Sequence, residues 1–600
     1  MTPDHTTQDA TPATPDDTAP AAPDAAAPDA PDDTAGANPG GAARATPDDA
    51  TPDDDVLDDA ALDGVVPGDA APGATCGTAR EAARATCARQ EAAECGGAAA
   101  ARSLEPDILV VGGGIAGLTT ALALHAAGFV RVTVVEAATG TRPAGAGLNL
   151  MPDAVRELDA LGLLDRLEAD AVRTGELRYY HRCGALVARE ERGLRAGYRW
   201  PQLSVHRAHL QRVLADAVRE RLGEGTLVTG VRVTGVDRQP GDARPRVRIE
   251  HRSGAVRSLS CLEPDLLIGA DGVRSAVRSA LHPDEGEPSW NGMLVWRGVS
   301  RMDPRRAAPF MLVAGDDRQK AVVHPMTEPS PHRPEVLVNW ALAMPADAVD
   351  ERFLGDWDRP VPVGRFLGHY EGWEFDGVSV PEVLRAADGA YEYPMVDRDP
   401  LARWSHGRTT LVGDAAHAMC PVGSDGATQA VVDARALAHA LAVHPDPVEA
   451  LAAYEAERRP AMTELQRADR GLGPEAVIHL AHERAPGGFT DIDDVVPPEE
   501  RRAIAARYAA TGASDRETVN QGSPYDVPGA VPGAPAAGPP PHGAPAPSAP
   551  APGAPAHGLL APGSPTRGSL FHGTSRDTPP YGVSARATPF HDTPGTRVLP

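Results

Sequence analysis

In 600 residues the chain carries 61 glycines and 60 prolines but only 4 % aromatics, too many chain breakers and too few large apolar side chains for a protein folded along its whole length. Its formal net charge is −26, and no basic stripe runs against that charge, which argues against a nucleic-acid partner. The charge is also uneven: the first 70 residues hold 17 aspartates, one basic residue (Arg44) and no Phe, Tyr or Trp, so this stretch alone supplies 16 of the negative charges.

A segment of that composition buries too little apolar area to offset its ordering entropy, so 1–103 is expected to be a disordered acidic Ala/Pro/Asp-rich tail. The Pro/Ala/Gly-rich stretch 521–600 is expected to be a second. The acidic start has no apolar leader segment, which points to a cytoplasmic protein without a membrane anchor. Cys76, Cys87 and Cys95 cluster without a histidine and without CxxC spacing, so free thiols are expected and no metal site.

After Pro106-Asp107, the run Ile108–Val111 is apolar on both faces, as a central parallel strand should be. Gly112-Gly113-Gly114-Ile115-Ala116-Gly117 follows, then a helix from Ile115 to about Ala127 and a second β-rich run, Val130–Val135, ending in Glu136. This is the context that gives a GxGxxG turn meaning. Gly112 permits the tight turn, Gly114 lets a pyrophosphate approach the backbone, and Gly117 lets the helix pack on the strand. Free N–H groups of Ile115 and Ala116 at the helix N-terminus would face the phosphates. Glu136 would accept hydrogen bonds from ribose hydroxyls and repel a 2′-phosphate, which disfavours NADP here. This unit alone admits NAD as readily as FAD.

Further along, Ser204–Leu210 carries Arg207 into a helix reaching about Leu222. Pro264–Ser275 reads as a buried strand ending in Asp271-Gly272. From about Trp290 to Asp388 the pattern changes to antiparallel strands at Gly292–Val299, Pro309–Val313, Ala321–His324 and Glu335–Ala341. Thr409–His417 is a strand ending in Gly413-Asp414, followed by the loop Pro421-Val422-Gly423-Ser424-Asp425-Gly426 and a helix from about Ala427.

Together the glycine turn, the Arg207–Leu210 pair, Asp271-Gly272 and Gly413-Asp414 resemble the single-component (class A) FAD-dependent aromatic monooxygenases. Arg142–Leu150, Gly197–Gln202 and Tyr393–Pro400 look like the branch of the phenazine-1-carboxylate monooxygenases, and the resemblance runs from about Asp107 to Leu480. It implies FAD rather than NAD as the bound cofactor. The fold implied is an α/β Rossmann-like FAD-binding domain of the p-hydroxybenzoate hydroxylase type, with an inserted antiparallel-sheet substrate domain. Accordingly 104–289 and 390–485 are assigned to FAD binding, 290–389 to the substrate domain and 486–520 to a helical extension.

By the same resemblance, Arg142 and Arg207 reach toward the cofactor, Asp271 lies beside the pyrophosphate and Asp414 accepts from the ribityl hydroxyls. Pro421, Gly423 and Gly426 set a helix N-terminus against the pyrimidine edge of the flavin, where negative charge develops on reduction. Trp296, His324 and Trp340 are candidates to line the substrate pocket. The implied reaction uses NADH or NADPH and O2, forms a C4a-hydroperoxyflavin, and hydroxylates a small aromatic or heteroaromatic substrate of secondary metabolism. No acid–base residue is assigned, and oligomeric state is left open.

Two segments depart from that branch. Asp425 stands where asparagine is usual and is expected to cap the helix; Ala418 and Cys420 replace a proline and a tyrosine, which alters the pocket wall. A flavin halogenase fits poorly, because Gly372-Trp373-Glu374-Phe375 lacks its tryptophan motif and the single lysine, Lys320, falls in the substrate sheet. An FAD oxidoreductase that never uses O2, or a silent flavin-binding scaffold acting through its tails, remains as an alternative.

Overall fold

Ile108–Val111 (β1) is buried at all four positions. It leads into α1 (Ile115–Ala126) and β2 (Val132–Glu136). The computed structural model describes residues 106–140, 146–237, 244–253, 256–349, 359–511 and 515–527. Arg142, Cys76, Cys87, Cys95 and the tail 1–103 lie outside these residues. So does all of 521–600 except its first seven residues.

Along the chain, β3 (Gly147–Leu150), β4 (Glu176–His181), β5 (Leu186–Glu191) and β6 (Gln202–His206) precede α2 (Arg207–Leu222) and β7 (Leu227–Thr229). After β8 (Leu266–Gly269) and α3 (Ala276–Leu281) come the strands β9 (Ser289–Met302), β10 (Met311–Gly315), β11 (Lys320–Pro325) and β12 (Val336–Pro345). β13 (Arg359–Val361), β14 (Ala387–Asp397) and β15 (Thr409–Leu411) complete the principal strands. The helices α4 (Asp425–Val443), α5 (Pro447–Arg470), α6 (Ala476–Arg484) and α7 (Pro498–Thr511) follow.

β15, β8, β1, β2 and β7 form, in that spatial order, a sheet whose pairs are all parallel. Helix α1 packs against both α2 and α4. A parallel sheet covered by helices needs strands apolar on both faces, which is what β1 and β8 supply.

The second sheet has eight strands in the order β13-β14-β9-β12-β11-β10-β4-β5. Its pairs are antiparallel except β10 with β4. It takes in residues 176–191 and runs on to Asp397, beyond the 290–389 span expected of it.

Side chains alternate across this sheet, and the alternation corrects one expectation. Trp296 and Trp340 are fully buried in an apolar cluster with Phe366 and Phe375, on the face covered by the segment 361–384. Trp296 stacks on Phe366 at 4.8 Å between ring centroids, and its Nε1 donates to Glu392 Oε2 at 2.8 Å. Neither tryptophan faces the nucleotide-binding part; the odd-numbered neighbours on β9 and β12, Arg297 and Asn339 among them, do. Trp296→Ala should therefore cost about 3–5 kcal/mol in denaturant unfolding while substrate affinity stays within about twofold. A large loss of affinity at near-normal stability would return Trp296 to the pocket.

Candidate flavin and substrate site

The glycine turn is shaped by close contacts. Gly112 has φ +109, and a Cβ there would collide with the carbonyl of Ala270 at the end of β8; one on Gly117 would collide with the Gly112 carbonyl. Nothing lies within 4 Å of a Cβ placed on Gly114, so the N-terminus of α1, with Ile115 and Ala116 in its first turn, opens toward free space. Glu136, at the end of β2, accepts from the backbone N–H of Gly113 at 2.7 Å and of Ala138 at 2.8 Å. Its carboxylate is thereby fixed beside the turn. Gln211, one helical turn after Arg207 on α2, donates to the Gly113 carbonyl at 2.9 Å and braces the same loop.

Arg207 is the first residue of α2, and its N–H donates to Ala146 O at 3.0 Å. His206 before it caps that helix by accepting from Ala208 N. Asp271 is adjacent to Gly112, but its carboxylate turns inward: it accepts from Ala276 N at 2.7 Å and from the Ser275 hydroxyl, at the N-terminus of α3. Burial raises its pKa, against those hydrogen bonds.

Asp414 is exposed, and Gly413 before it (φ +57) lies where a Cβ would press on Ala116 and Ala430. The turn is held from behind by Asp433, which accepts from Gly413 N at 3.0 Å, His417 Nε2 at 2.6 Å and Arg458 Nε at 2.8 Å. Pro421, Gly423 and Gly426 belong to the loop and first turn of α4, and a Cβ on Gly426 would stand 3.8 Å from Asp414 Oδ1. Asp425 does not cap this helix. Ser424, with φ +69, occupies the cap position without a side-chain hydrogen bond, and the Asp425 carboxyl turns toward Tyr508.

On the inner face of the eight-stranded sheet, His324 is buried between Ser204 of β6 and Asn339 of β12. Asn339 accepts from Gly147 N at 2.6 Å, so its amide nitrogen faces His324 Nε2 at 2.9 Å, and Nδ1–H donates to Ser204 Oγ at 2.6 Å. Burial pushes the imidazole down to about 4. His324 joins the eight-stranded sheet to β6, which pairs with β3 in a separate three-stranded sheet, as a neutral ring.

A cavity of about 330 Å3 lies at the other end of this face, lined among others by Met293, Lys320, Ala343, Met395, Cys420 and Val422. None of Trp296, His324 and Trp340 lines it. Burial and the neighbouring Asp397 push the Cys420 thiol up to about 12, so it serves as an uncharged wall. Lys320 is ion-paired with Glu475. Between the cavity and His324, Arg297 lies over the Tyr393 ring at 5.9 Å. It forms no ion pair among the described residues, its Nε is buried without a hydrogen-bond partner, and burial and Arg207 lower its pKa.

Residues 105–351 and 391–469, over half of the chain, match the family model described as an FAD binding domain. Phenazine 1,6-dicarboxylic acid hydroxylase PhzS of Lysobacter antibioticus is 43 % identical over 367 residues, covering 61 % of this chain and 89 % of that protein. The chain belongs to the class A FAD-dependent monooxygenases. Another member, 3-amino-4-hydroxybenzoate 2-monooxygenase PtnB3 of Streptomyces platensis, is 34 % identical over 62 % of this chain and 89 % of its own length. Among solved structures, Klebsiella pneumoniae HpxO complexed with FAD and uric acid shares the fold at a TM-score of 0.53 and 22 % identity, over 70 % of this chain and 99 % of that one.

As a member of a family acting on small aromatic substrates, this monooxygenase has FAD as its cofactor, and the residues present fit it. The N-terminus of α1 opens toward free space, and Arg207 and Asp414 are polar side chains without hydrogen-bond partners among the described residues. Among those residues, no helix is long and apolar enough to cross a membrane and no acid, His or Cys group is placed to hold a metal ion.

Arg297, Asn339, Asp433 and Gln211 were not singled out from sequence. Gln211 carries a signal in hindsight, one turn from Arg207; the others depend on strand and helix neighbours distant in the chain.

Asp414→Ala should weaken FAD retention about tenfold or more, read from flavin released on dilution, since hydrogen bonds to a charged group are worth about 1.5–3 kcal/mol; unchanged retention would separate Asp414 from the cofactor. For His324 the folded state stays neutral down to about 4 whereas the unfolded ring protonates near 6.5. Stability should therefore fall as pH drops through that window, and His324→Gln should flatten the dependence of the denaturation midpoint on pH. Equal slopes in both proteins would exclude His324 as its source.

Proposed function

We propose that this monooxygenase hydroxylates a planar aromatic or heteroaromatic carboxylate at the expense of NADH or NADPH and O2, as a relative of the phenazine-carboxylate branch. The observation that carries this is the cavity beneath the sheet, whose wall includes Cys420 and Val422 of the flavin loop itself. A ring held there would lie beside that loop, which would hold the cofactor's pyrimidine edge. FAD, once reduced, supplies the electrons that activate O2; one oxygen atom enters the ring as hydroxyl, the other leaves as water, and NAD(P)H becomes NAD(P)+.

The chain's own residues bind, orient and keep the site dry. Met293, Met395 and Val422 offer apolar walls. The free N–H groups at the start of α4 favour negative charge on the pyrimidine edge. Glu136, Arg207 and Asp414 would hold the nucleotide and ribityl portions, and Asp271 would act through the position of the turn.

Arg297 is the anchor for the substrate carboxylate. A buried cation without a counter-charge is costly, and an anion delivered by the substrate removes that cost. The acid names of relatives such as phenazine 1,6-dicarboxylic acid hydroxylase and 3-amino-4-hydroxybenzoate 2-monooxygenase support this choice. Phenazine carboxylates and hydroxybenzoates should accelerate NAD(P)H-dependent bleaching of the flavin and yield hydroxylated product matched to O2 consumed. Bleaching without product would make the protein a non-oxygenating oxidoreductase, and no bleaching with any acid would leave a flavin-binding scaffold. Arg297→Gln should raise KM for the acid about tenfold or more and leave that for the corresponding carboxamide unchanged; equal losses for both would refute the anchor.

A further inference from the structure

Tyr508 lies on α7, beyond residue 469 where the family match ends, yet its side chain enters the flavin loop. A Cβ on Gly423 of that loop would collide with the Tyr508 hydroxyl, and one on Gly473 would stand 2.8 Å from the ring. Two glycines of positive φ thus leave a slot that the phenol fills. Four residues earlier on the same helix, Ile504 packs with Val313 and Val477 under the eight-stranded sheet. Helix α7 therefore ties that sheet to the loop.

Within the slot the phenolic oxygen is 2.6 Å from Asp425 Oδ2 and 2.7 Å from Asp469 Oδ1. A phenol has one proton to donate. If both carboxylates were ionised, one of these contacts would set lone pairs against each other. The closed arrangement therefore holds at least one further proton on a carboxyl, which donates to the phenolic oxygen. Both aspartates are buried, and Asp469 Oδ2 has no hydrogen-bond partner.

We propose that Tyr508, Asp425 and Asp469 form a one-proton latch through which α7 positions the flavin loop, and that losing the proton loosens the loop's hold on FAD. Tyr508 is a positioning residue acting through Asp425. The proposal rests on FAD lying against the loop and is independent of the substrate and of Arg297.

The surroundings favour retention of the proton. Asp425 faces Asp153 and Arg192 as well as Tyr508 and Asp469, and Asp469 faces Glu475. The cations nearby are engaged elsewhere, Arg192 with Glu190, Lys320 with Glu475 and Arg470 with Asp397 and Asp399. Burial, with help from Asp153 and against Tyr508 and Arg192, pushes Asp425 up to about 7. Burial and then the Asp425 charge push Asp469 up to about 8. Once the latch opens, both carboxyls return toward their ordinary value of 3.8. The closed form binds more protons, so its advantage declines as pH rises from about 4 through 7 to 8.

The test uses the FAD-loaded full chain at about pH 6 and pH 8.5, reading hydrogen-exchange protection of 498–511 and the rate of FAD release. Protection should fall, and release quicken, by about tenfold or more at the higher pH. In Asp425→Asn the side-chain amide donates to the phenol, which donates in turn to an ionised Asp469, so the arrangement closes without a shared proton and only the burial of Asp469 still favours one. Both readouts should then lose most of their dependence on pH, as one of the two raised carboxyls is gone; Asp469→Asn provides the same test should the first variant fail to fold. Tyr508→Phe should give low protection at both pH values. A wild type indifferent to pH, or amide variants that keep its pH slope, would overturn the latch.

Discussion

Asp433 is the point from which the flavin end of this molecule is built. Its carboxylate is fully buried and accepts from a backbone N–H, an imidazole and a guanidinium. Burial alone would raise its pKa, but His417 and Arg458 outweigh burial and hold it at about 2. Removing Arg458 would leave buried charge uncompensated, and removing either other partner would leave a buried acceptor short of a donor. With all three in place, the turn at Gly413-Asp414 is held from behind, and Asp414 stays exposed.

Both ends of the proposed cofactor site present helix N-termini on elements fixed from behind. At the adenosine end, the missing Cβ atoms of Gly112 and Gly117 let a strand, a turn and a helix approach closely, and Gln211 braces the result from the neighbouring helix. At the flavin end, Asp433 and the Tyr508 contact do the corresponding work. Rigid supports matter because oriented N–H groups stabilise charge only if they need not reorganise when it appears.

The eight-stranded sheet serves two purposes because its faces are chemically different. One face is an aromatic core of Trp296, Trp340 and Phe366 that stabilises the sheet. The other meets the nucleotide-binding part through His324 and Asn339, carries Arg297, and borders the cavity. Hydrogen bonds from Gly147 to Asn339 and from His324 to Ser204 hold the two parts together.

The sequence by itself determined the nucleotide-binding unit, because its constraints are local. Strand, glycine turn, helix and acid follow one another within thirty residues, and each residue type has a steric or electrostatic reason that needs no distant neighbour. The places of Arg207 and Gly413-Asp414 at element ends were legible for the same reason. Tertiary structure alone decided which face of a strand meets the cofactor: a tryptophan reads the same from either side of a sheet, and register separated Trp296 from Arg297. It also decided the fate of Asp425. A helix-start aspartate is a good cap in isolation, but here Tyr508, 83 residues later, occupies the carboxyl instead. Contacts at that separation leave no periodicity in the chain, so only folding brings them into view.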